Sequence, residues 1–351
     1  ASIHRICAYI SDVNSNLVLT YSPLGCKIML HLKDIFSGGN TIMENFSFYS
    51  PTYFDFGRGA EAHIGDLIRR FGGTKVLFHY GTGSIKKNGL YDTIVSTLKN
   101  SHIDFIELGG VKPTPRSSLV YDGIELAKTN NVDFILAVGG GSVIDSAKAI
   151  AAGVLYDGDF LDFYRGSAKI EKALPVGVVL TIAAAGSEGS ANSVITDDVN
   201  LIKKGAKSDH LRPKFACMNP ELTYTLPPYQ TAAGATDIMI HVCERYFSNT
   251  AETAVTDRLC EAVLKTIIYE TPRVLRDPDN YEARANIMWA GMLAHNNICG
   301  VGREQDWASH HIEHELSALY DVTHGAGLAC VDASWSKSRS SSLPRIFAYT
   351  M

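Results

Sequence analysis

Residues 132–138, apolar except for Asp133, run directly into Gly139-Gly140-Gly141-Ser142-Val143-Ile144-Asp145. An apolar run of this length ending in glycines reads as a strand buried on both faces, as in a parallel sheet covered by helices. The glycines let the backbone turn tightly and approach a pyrophosphate closely. Ser142 then opens a helix whose free N–H groups and dipole favour an anion. The first part of the chain is thereby confined to an α/β architecture. An ordinary strand-to-helix turn also has this form, and the string departs from the usual G-x-G-x-x-G dinucleotide fingerprint. The longer pattern, Gly-Gly-Gly-Ser-x-x-Asp145-x-x-Lys148, is more specific.

The surrounding periodicity agrees. Residues 75–80, 103–108, 134–138 and 176–181 read as short apolar strands, with helical stretches at 90–98 and 119–128 between the first three. Strands alternating with helices predict a parallel sheet covered on both faces. Residues 192–204 read as a hairpin with Asp197 and Asp198 near its turn. Beyond Leu226-Pro227-Pro228 the pattern changes, and from Thr231 onward it is nearly all of helical period. The expectation is an α/β dinucleotide-binding domain over residues 43–226, then an all-α metal-binding domain over 227–351.

The helical half carries the second signal. Asp237 and His241 stand one turn apart, so both side chains leave one helix face, while His310 and His324 follow on either side of a short turn. One carboxylate and three imidazoles suit Fe(II) or Zn(II), and no cysteine stands at ligand spacing beside them. A helical Asp–His pair is also a common surface interaction, and a lone helical His is commonly just exposed or hydrogen-bonded. Spacing alone leaves both readings open.

Taken together, these strings resemble one family. The likeness rests on Lys75-Val-Leu-Phe-His-Tyr-Gly-Thr-Gly-Ser-Ile-Lys-Lys-Asn-Gly, Gly139-Gly-Gly-Ser-Val-Ile-Asp-Ser-Ala-Lys and Arg212-Pro-Lys-Phe. It continues through Thr231-Ala-Ala-Gly-Ala-Thr-Asp-Ile-Met-Ile-His and Glu313-His-Glu-Leu-Ser-Ala-Leu-Tyr-Asp-Val-Thr-His-Gly. From Met43 to about Ala329 the chain resembles the iron-containing (group III) alcohol dehydrogenases, nearest their NADPH-dependent butanol dehydrogenase and aldehyde reductase branch. The resemblance implies a dehydroquinate-synthase-like first domain and hydride transfer between NADP(H) and short- to medium-chain primary alcohols or aldehydes. It implies Asp237, His241, His310 and His324 as ligands of a divalent ion, Fe2+ ahead of Zn2+. His314 becomes the candidate catalytic residue. The implied cofactor contacts are Gly81, Gly83, Ser84, Lys86, Gly139, Gly140, Gly141, Ser142, Asp145, Lys148, Thr181, Asn192 and Lys203.

NADP(H) is favoured over NAD(H) at one position. An acidic residue after the first dinucleotide-fold strand bonds the ribose diol and repels a 2′-phosphate. Here Gly81 stands where the family's NAD-using branch has Asp, followed by Thr82, Ser84, Lys86 and Lys87. Small residues, a hydroxyl and cations would accept the phosphate. In Ala184-Ala185-Gly186-Ser187-Glu188, Ala185 replaces a threonine usual in the family, a loss of one hydrogen bond costing about 1 kcal/mol. His311, Glu313 and Glu315 share the helix of His310 and receive no role.

A net charge of −5 offers no electrostatic footing for nucleic acid or an anionic membrane. Seven irregularly spaced cysteines fit reduced thiols, hence a cytoplasmic enzyme, with a small alcohol or aldehyde as partner and a homodimer as a compatible assembly. Residues 1–42 show no family likeness, and the Ser/Arg-rich stretch after about 330 reads as altered or truncated rather than as a packed helix. Two other readings therefore stand beside the dehydrogenase: an inactive relic that only binds nucleotide, and a dehydroquinate-synthase-like lyase.

Overall fold

The computed structural model describes residues 42–339 and, ahead of them, an antiparallel pair of strands, β1 (Leu19–Tyr21) and β2 (Cys26–Ile28). The remainder of the expected N-terminal extension lies outside the described residues, as do residues 340–351. The main strands are β3 (Tyr53–Phe56), β4 (Lys75–Gly81), β5 (Asp104–Val111), β6 (Phe134–Gly139), β7 (Val176–Leu180) and β10 (Phe215–Met218). They form one parallel sheet in the order β3-β10-β7-β6-β4-β5. A separate hairpin pairs β8 (Asn192–Asp197) with β9 (Ile202–Lys207).

Alternation along the central strands builds two cores. Phe134, Leu136 and Val138 of β6 join Val76 and Phe78 of β4 on one face of the sheet. There they meet Ile64 and Ile68 of α1 (Ile64–Arg70) and Ile94 and Leu98 of α3 (Leu90–Asn100). The short α2 (Ser84–Lys87) precedes α3. Ile135 and Ala137 face the other way, joining Leu77, Val120 of α4 (Ser117–Thr129) and Ile144 and Ile150 of α5 (Gly141–Val154). Each such buried aliphatic side chain contributes about 1.5–3 kcal/mol, so both covered faces are needed to hold the sheet. A further short helix, α6 (Leu161–Arg165), leads toward β7.

Two strands escape sequence reading. Tyr53–Phe56 is a four-residue edge strand with Asp55 in it, too short for a visible period. Phe215–Met218 is fully buried but equally short, squeezed between Pro213 and Pro220.

The rest is helical among the described residues: α7 (Pro228–Tyr246), α8 (Ala254–Arg276), α9 (Tyr281–His295), α10 (Ala308–Tyr320) and α11 (His324–Arg339). Pro228 sits in the first turn of α7, where its fixed φ suits a helix and its missing N–H costs nothing. Ile238 and Val242 of α7 pack with Val263, Leu264 and Ile267 of α8 and Ile287 and Ala294 of α9. The expected combination of an α/β sheet unit and a helical C-terminal unit is what the fold shows. The expectation that the chain beyond about 330 is no packed helix is corrected. α11 runs unbroken to Arg339 because Leu328 and Val331 recur at helical spacing and are buried. None of the described helices is long and apolar enough to cross a membrane.

One buried group in the sheet makes stability depend on pH. His79 of β4 is completely buried; its Nδ1–H donates to the Leu108 carbonyl (2.8 Å), and its Nε2 faces Ser146 Oγ (2.9 Å). Burial holds its pKa down at about 4, against an ordinary 6.5. Below 6.5 the unfolded chain takes up a proton that the folded chain refuses. The His79 contribution is therefore complete above pH 6.5 and is lost as pH falls toward 4, by about 3 kcal/mol. Urea midpoints should drop between pH 7 and pH 4.5, and less so in His79→Gln. Equal drops in the two proteins would place the acid sensitivity elsewhere.

Candidate active site

The C-terminal ends of β4, β6 and β7 open onto a cleft of about 730 Å³ whose opposite wall is built by α7, α9, α10 and α11. That is where open parallel sheets place their ligands. Gly139, Gly140, Gly141 and Ser142 line the cleft, together with Gly81, Ser84, Asp145 and Thr181, and Asn192 and Lys203 line it toward His295 and His324. α5 begins at Gly141, so its unpaired N–H groups face the cleft there. None of the three glycines has a positive φ; at Gly139 and Gly140 crowding excludes a side chain, while a Cβ on Gly141 would meet only an ordinary contact with Ala185 at 3.6 Å. A Cβ on Gly139 would lie 2.5 Å from Val143, and one on Gly140 would lie 2.1 Å from Ile182.

Three of the expected cofactor contacts lie elsewhere. Lys148 is fully buried and does not line the cleft. Its ammonium donates to the carbonyls of Ser187 (2.7 Å), Ser190 (3.0 Å) and Asn192 (2.8 Å) and to the hydroxyls of Ser187 and Ser190. It pins the loop that follows β7 to the start of β8. Gly83, at φ +132, turns the chain so that Ser84 lines the cleft and Lys86 is carried away. Lys86 rests over the rings of Tyr91 (4.7 Å) and Tyr80 (5.2 Å). Asp145 does line the cleft, but its carboxylate also accepts from Ser187 Oγ (2.5 Å) and Val194 N–H (2.9 Å). Ala185, the departure from the family pattern, lines the cleft beside Gly141.

At the other end the expected ligands converge. His241 Nε2 lies 3.4 Å from Asp237 Oδ1, and His310 Nε2 and His324 Nε2 each lie 3.8 Å from the same oxygen. Ligand atoms around a tetrahedral ion with bonds of about 2.0–2.2 Å are separated by about 3.3–3.6 Å. Asp237 Oδ1 and His310 Nε2 are buried with no hydrogen-bond partner, as groups reserved for an ion would be. The donors Asp237, His241 and His310 form a buried trio, with all three ligand atoms within 4.8 Å of one another. The residues therefore fit a divalent cation. Local packing sets this geometry. A Cβ on Gly325, next to His324, would fall 1.9 Å from the Ala233 carbonyl oxygen, so only glycine lets α11 start against α7 one turn before Asp237.

Electrostatics favours the same assignment. Burial, then the neighbouring imidazoles and cations, keeps His241, His295 and His314 well below the ordinary histidine range and hence neutral. His310 differs: burial opposes its charging, but Asp237 and Glu244 outweigh it and raise its pKa to about 9. In the metal-free protein a proton on His310 supplies part of the positive charge that the carboxylates demand. His314, the expected catalytic residue, is half-buried on the cleft wall, its ring 5.7 Å from that of His324.

Several residues at the site were not anticipated. Glu244 contacts His310 through both the ring Nδ1 and the backbone N–H, and Glu313 contacts His324 Nδ1. Glu313, given no role from the sequence, is completely buried, whereas His311 is exposed. The signal was present: Glu244 lies seven residues after Asp237, two turns along the same face. The His295 ring lies tilted, 4.2 Å from that of His241, and Trp307 packs edge-to-face with His241 and His310 under the Arg245 guanidinium. These contacts join residues distant in sequence and have no local pattern.

The sequence profile described as iron-containing alcohol dehydrogenase matches residues 51–220, and that of the Fe-containing alcohol dehydrogenase C-terminal region matches residues 231–347. The chain belongs to the iron-containing alcohol dehydrogenase family. It is 46% identical over 293 residues to NADH-dependent butanol dehydrogenase A of Clostridium acetobutylicum, covering 84% of this chain and 75% of that one. It is 38% identical over 311 residues to the NADPH-dependent aldehyde reductase YqhD of Escherichia coli, covering 88% and 79%. The crystal structure of NADH-dependent butanol dehydrogenase A from Thermotoga maritima superposes with a TM-score of 0.86 at 47% identity, over 88% of this chain and 77% of that one. Family membership makes the chain an oxidoreductase of alcohols and aldehydes that works with a nicotinamide cofactor and a divalent metal. The lyase alternative falls away. The C-terminal match also extends well past residue 330, into the stretch read from sequence as altered.

Proposed function

We propose that this chain interconverts short- to medium-chain aldehydes and primary alcohols with NADP(H), at a divalent ion, preferably iron, held by Asp237, His241, His310 and His324. The convergence of three Nε2 atoms on Asp237 Oδ1 is the observation that carries this reading. Three imidazoles and a carboxylate suit Fe(II) and Zn(II) alike, and the family's description favours iron. We place the boundary between the cofactor-binding domain (43–226) and the metal-binding domain (227–351) at the paired prolines, after the last strand and before α7.

When bound, the ion acts as a Lewis acid on the carbonyl oxygen, and the nicotinamide supplies the hydride. The protein's own groups do the rest. The glycine loop and the start of α5 receive the pyrophosphate, Thr181 and Asn192 flank the path toward the metal, and Trp307 closes the wall behind His241 and His310. His314 is neutral and stands on the cleft wall between this path and His324, placed to pass a proton to or from water. Incubation with NADPH and butyraldehyde should yield butanol and NADP+ in equal amounts. Nucleotide binding with no product would support the inactive-relic reading instead.

The cofactor preference rests on the loop after β4. Asp145 and Asp237 are the only carboxylates lining the described cleft, and neither adjoins Gly81, while Ser84 and Lys112 line it too. A 2′-phosphate would meet hydroxyls and a cation there, not a negative charge. The relatives' names divide between NADH and NADPH, so the loop alone carries this point. A Cβ on Gly81 would meet its nearest neighbour, the Val111 carbonyl, at an ordinary 3.7 Å. Gly81→Asp should therefore fold normally and shift the ratio of kcat/KM for NADPH over NADH at least about tenfold toward NADH, or about 1.4 kcal/mol. An unchanged ratio would mean that the 2′-phosphate binds elsewhere.

A further inference from the structure

We infer that Glu244 and Glu313 are positioning residues of the metal centre: each fixes, through Nδ1, an imidazole whose Nε2 faces the ion. The inference rests on the metal reading above and adds to it the groups that make His310 and His324 competent ligands.

The chemistry of the contacts requires it. A carboxylate only accepts hydrogen bonds, so His310 Nδ1 must carry the proton it gives to Glu244 Oε2, and His324 Nδ1 the one it gives to Glu313 Oε2. Each Nε2 is then the ring nitrogen left to an ion, which would displace the proton that charges His310 in the metal-free protein, and each lies 3.8 Å from Asp237 Oδ1. A carboxylate behind the ring also raises the basicity of the ligating nitrogen. Both glutamates are almost wholly inaccessible to water, at 5% exposure for Glu244 and 0% for Glu313. A chain gains nothing by burying acids in this way unless they are paired.

The two arms are built differently. Glu244 lies on α7, the helix that already presents Asp237 and His241, and it grips His310 twice, since its Oε1 also accepts the His310 backbone N–H at 3.1 Å. One helix thus supplies two ligands and orients a third. Glu313 lies on α10 and holds the first residue of α11. Its Oε1 accepts from Ser317, and its Oε2 is shared between His324 and the Lys203 ammonium at 3.3 Å. Lys203 comes from β9, so this arm ties the hairpin of the α/β unit to the ligand helices. It also explains the second grouping of donors, Glu313, His314 and His324: its positive charge is already supplied by Lys203. An ammonium on Glu313 reduces the push that this carboxylate can give His324, so Glu244 is the stronger brace of the two.

The test is a titration of metal-free protein with Co2+ alone, in competition with a chelator. Wild type should bind one Co2+ per chain. Glu244→Gln and Glu313→Gln keep the size and an acceptor but lose the charge, and should bind about 10- to 100-fold more weakly. The larger loss is expected at Glu244, and the Leu variants should be weaker again at each site. Glutamine variants that bind Co2+ as tightly as wild type would reduce both acids to packing and overturn the inference, while leaving the metal reading intact. Wild type that takes up no Co2+ would overturn both. Should a glutamine variant not fold, Glu244→Asp and Glu313→Asp keep the charge but withdraw it by one methylene, and tight binding by these would count equally against the inference.

Discussion

Replacing His310 with alanine should leave the protein without bound divalent ion and lower turnover at least about a thousandfold, equivalent to about 4 kcal/mol of transition-state stabilisation. The variant loses one of the three donors in the buried cluster of Asp237, His241 and His310. It also takes the imidazole away from the buried Glu244 carboxylate, which keeps only the backbone N–H of residue 310. An acid buried without its partner destabilises by about 3–5 kcal/mol, so the melting temperature should fall along with metal content. Metal analysis beside the rate assay checks this. Full metal occupancy in the variant would defeat the ligand assignment even if activity were lost.

The second large effect lies away from the chemistry. Lys148→Met should destabilise the fold by about 3–5 kcal/mol, a large share of the 5–15 kcal/mol typical of a whole domain. The loss strands the carbonyls of Ser190 and Asn192 in the interior and leaves that of Ser187 with only the Ser190 N–H. The loop that places Ala185 and the strand that places Asn192 would both loosen, so weaker cofactor binding should follow from lower stability. Urea unfolding and cofactor titration on the same sample separate the possibilities. Unchanged stability with reduced cofactor affinity would return Lys148 to the direct cofactor contact that the sequence pattern implied.

Lys148 also shows where sequence reading stops. The glycine loop, strands β4, β5, β6 and β7 and the helical second half were legible because each rests on a local period or a local turn. Asp237 and His241 were legible for the same reason, being one turn apart on a single helix. A motif names which residues travel together and not which atom each one touches, so Lys148 appeared as a cofactor ligand although its ammonium points into the protein. Glu313 received no role because nothing local marks a helix-borne glutamate as part of a site. What buries it is Lys203, 110 residues earlier, and no local pattern carries that contact. The strands Tyr53–Phe56 and Phe215–Met218 were missed because four residues give too little alternation to read. Residues 330–339 were misjudged from their Ser/Arg composition, although Leu328 and Val331 already held the helical spacing that buries α11.

The central claim is that hydride passes between a nicotinamide and an aldehyde only when a divalent ion sits among Asp237, His241, His310 and His324. Metal-stripped protein should be titrated with Fe2+ under anaerobic conditions while NADPH consumption with butyraldehyde is followed. The expected result is no turnover without metal and a linear rise that breaks at one equivalent of Fe2+ per chain. Turnover that is independent of added metal, or absent at full occupancy, would contradict it.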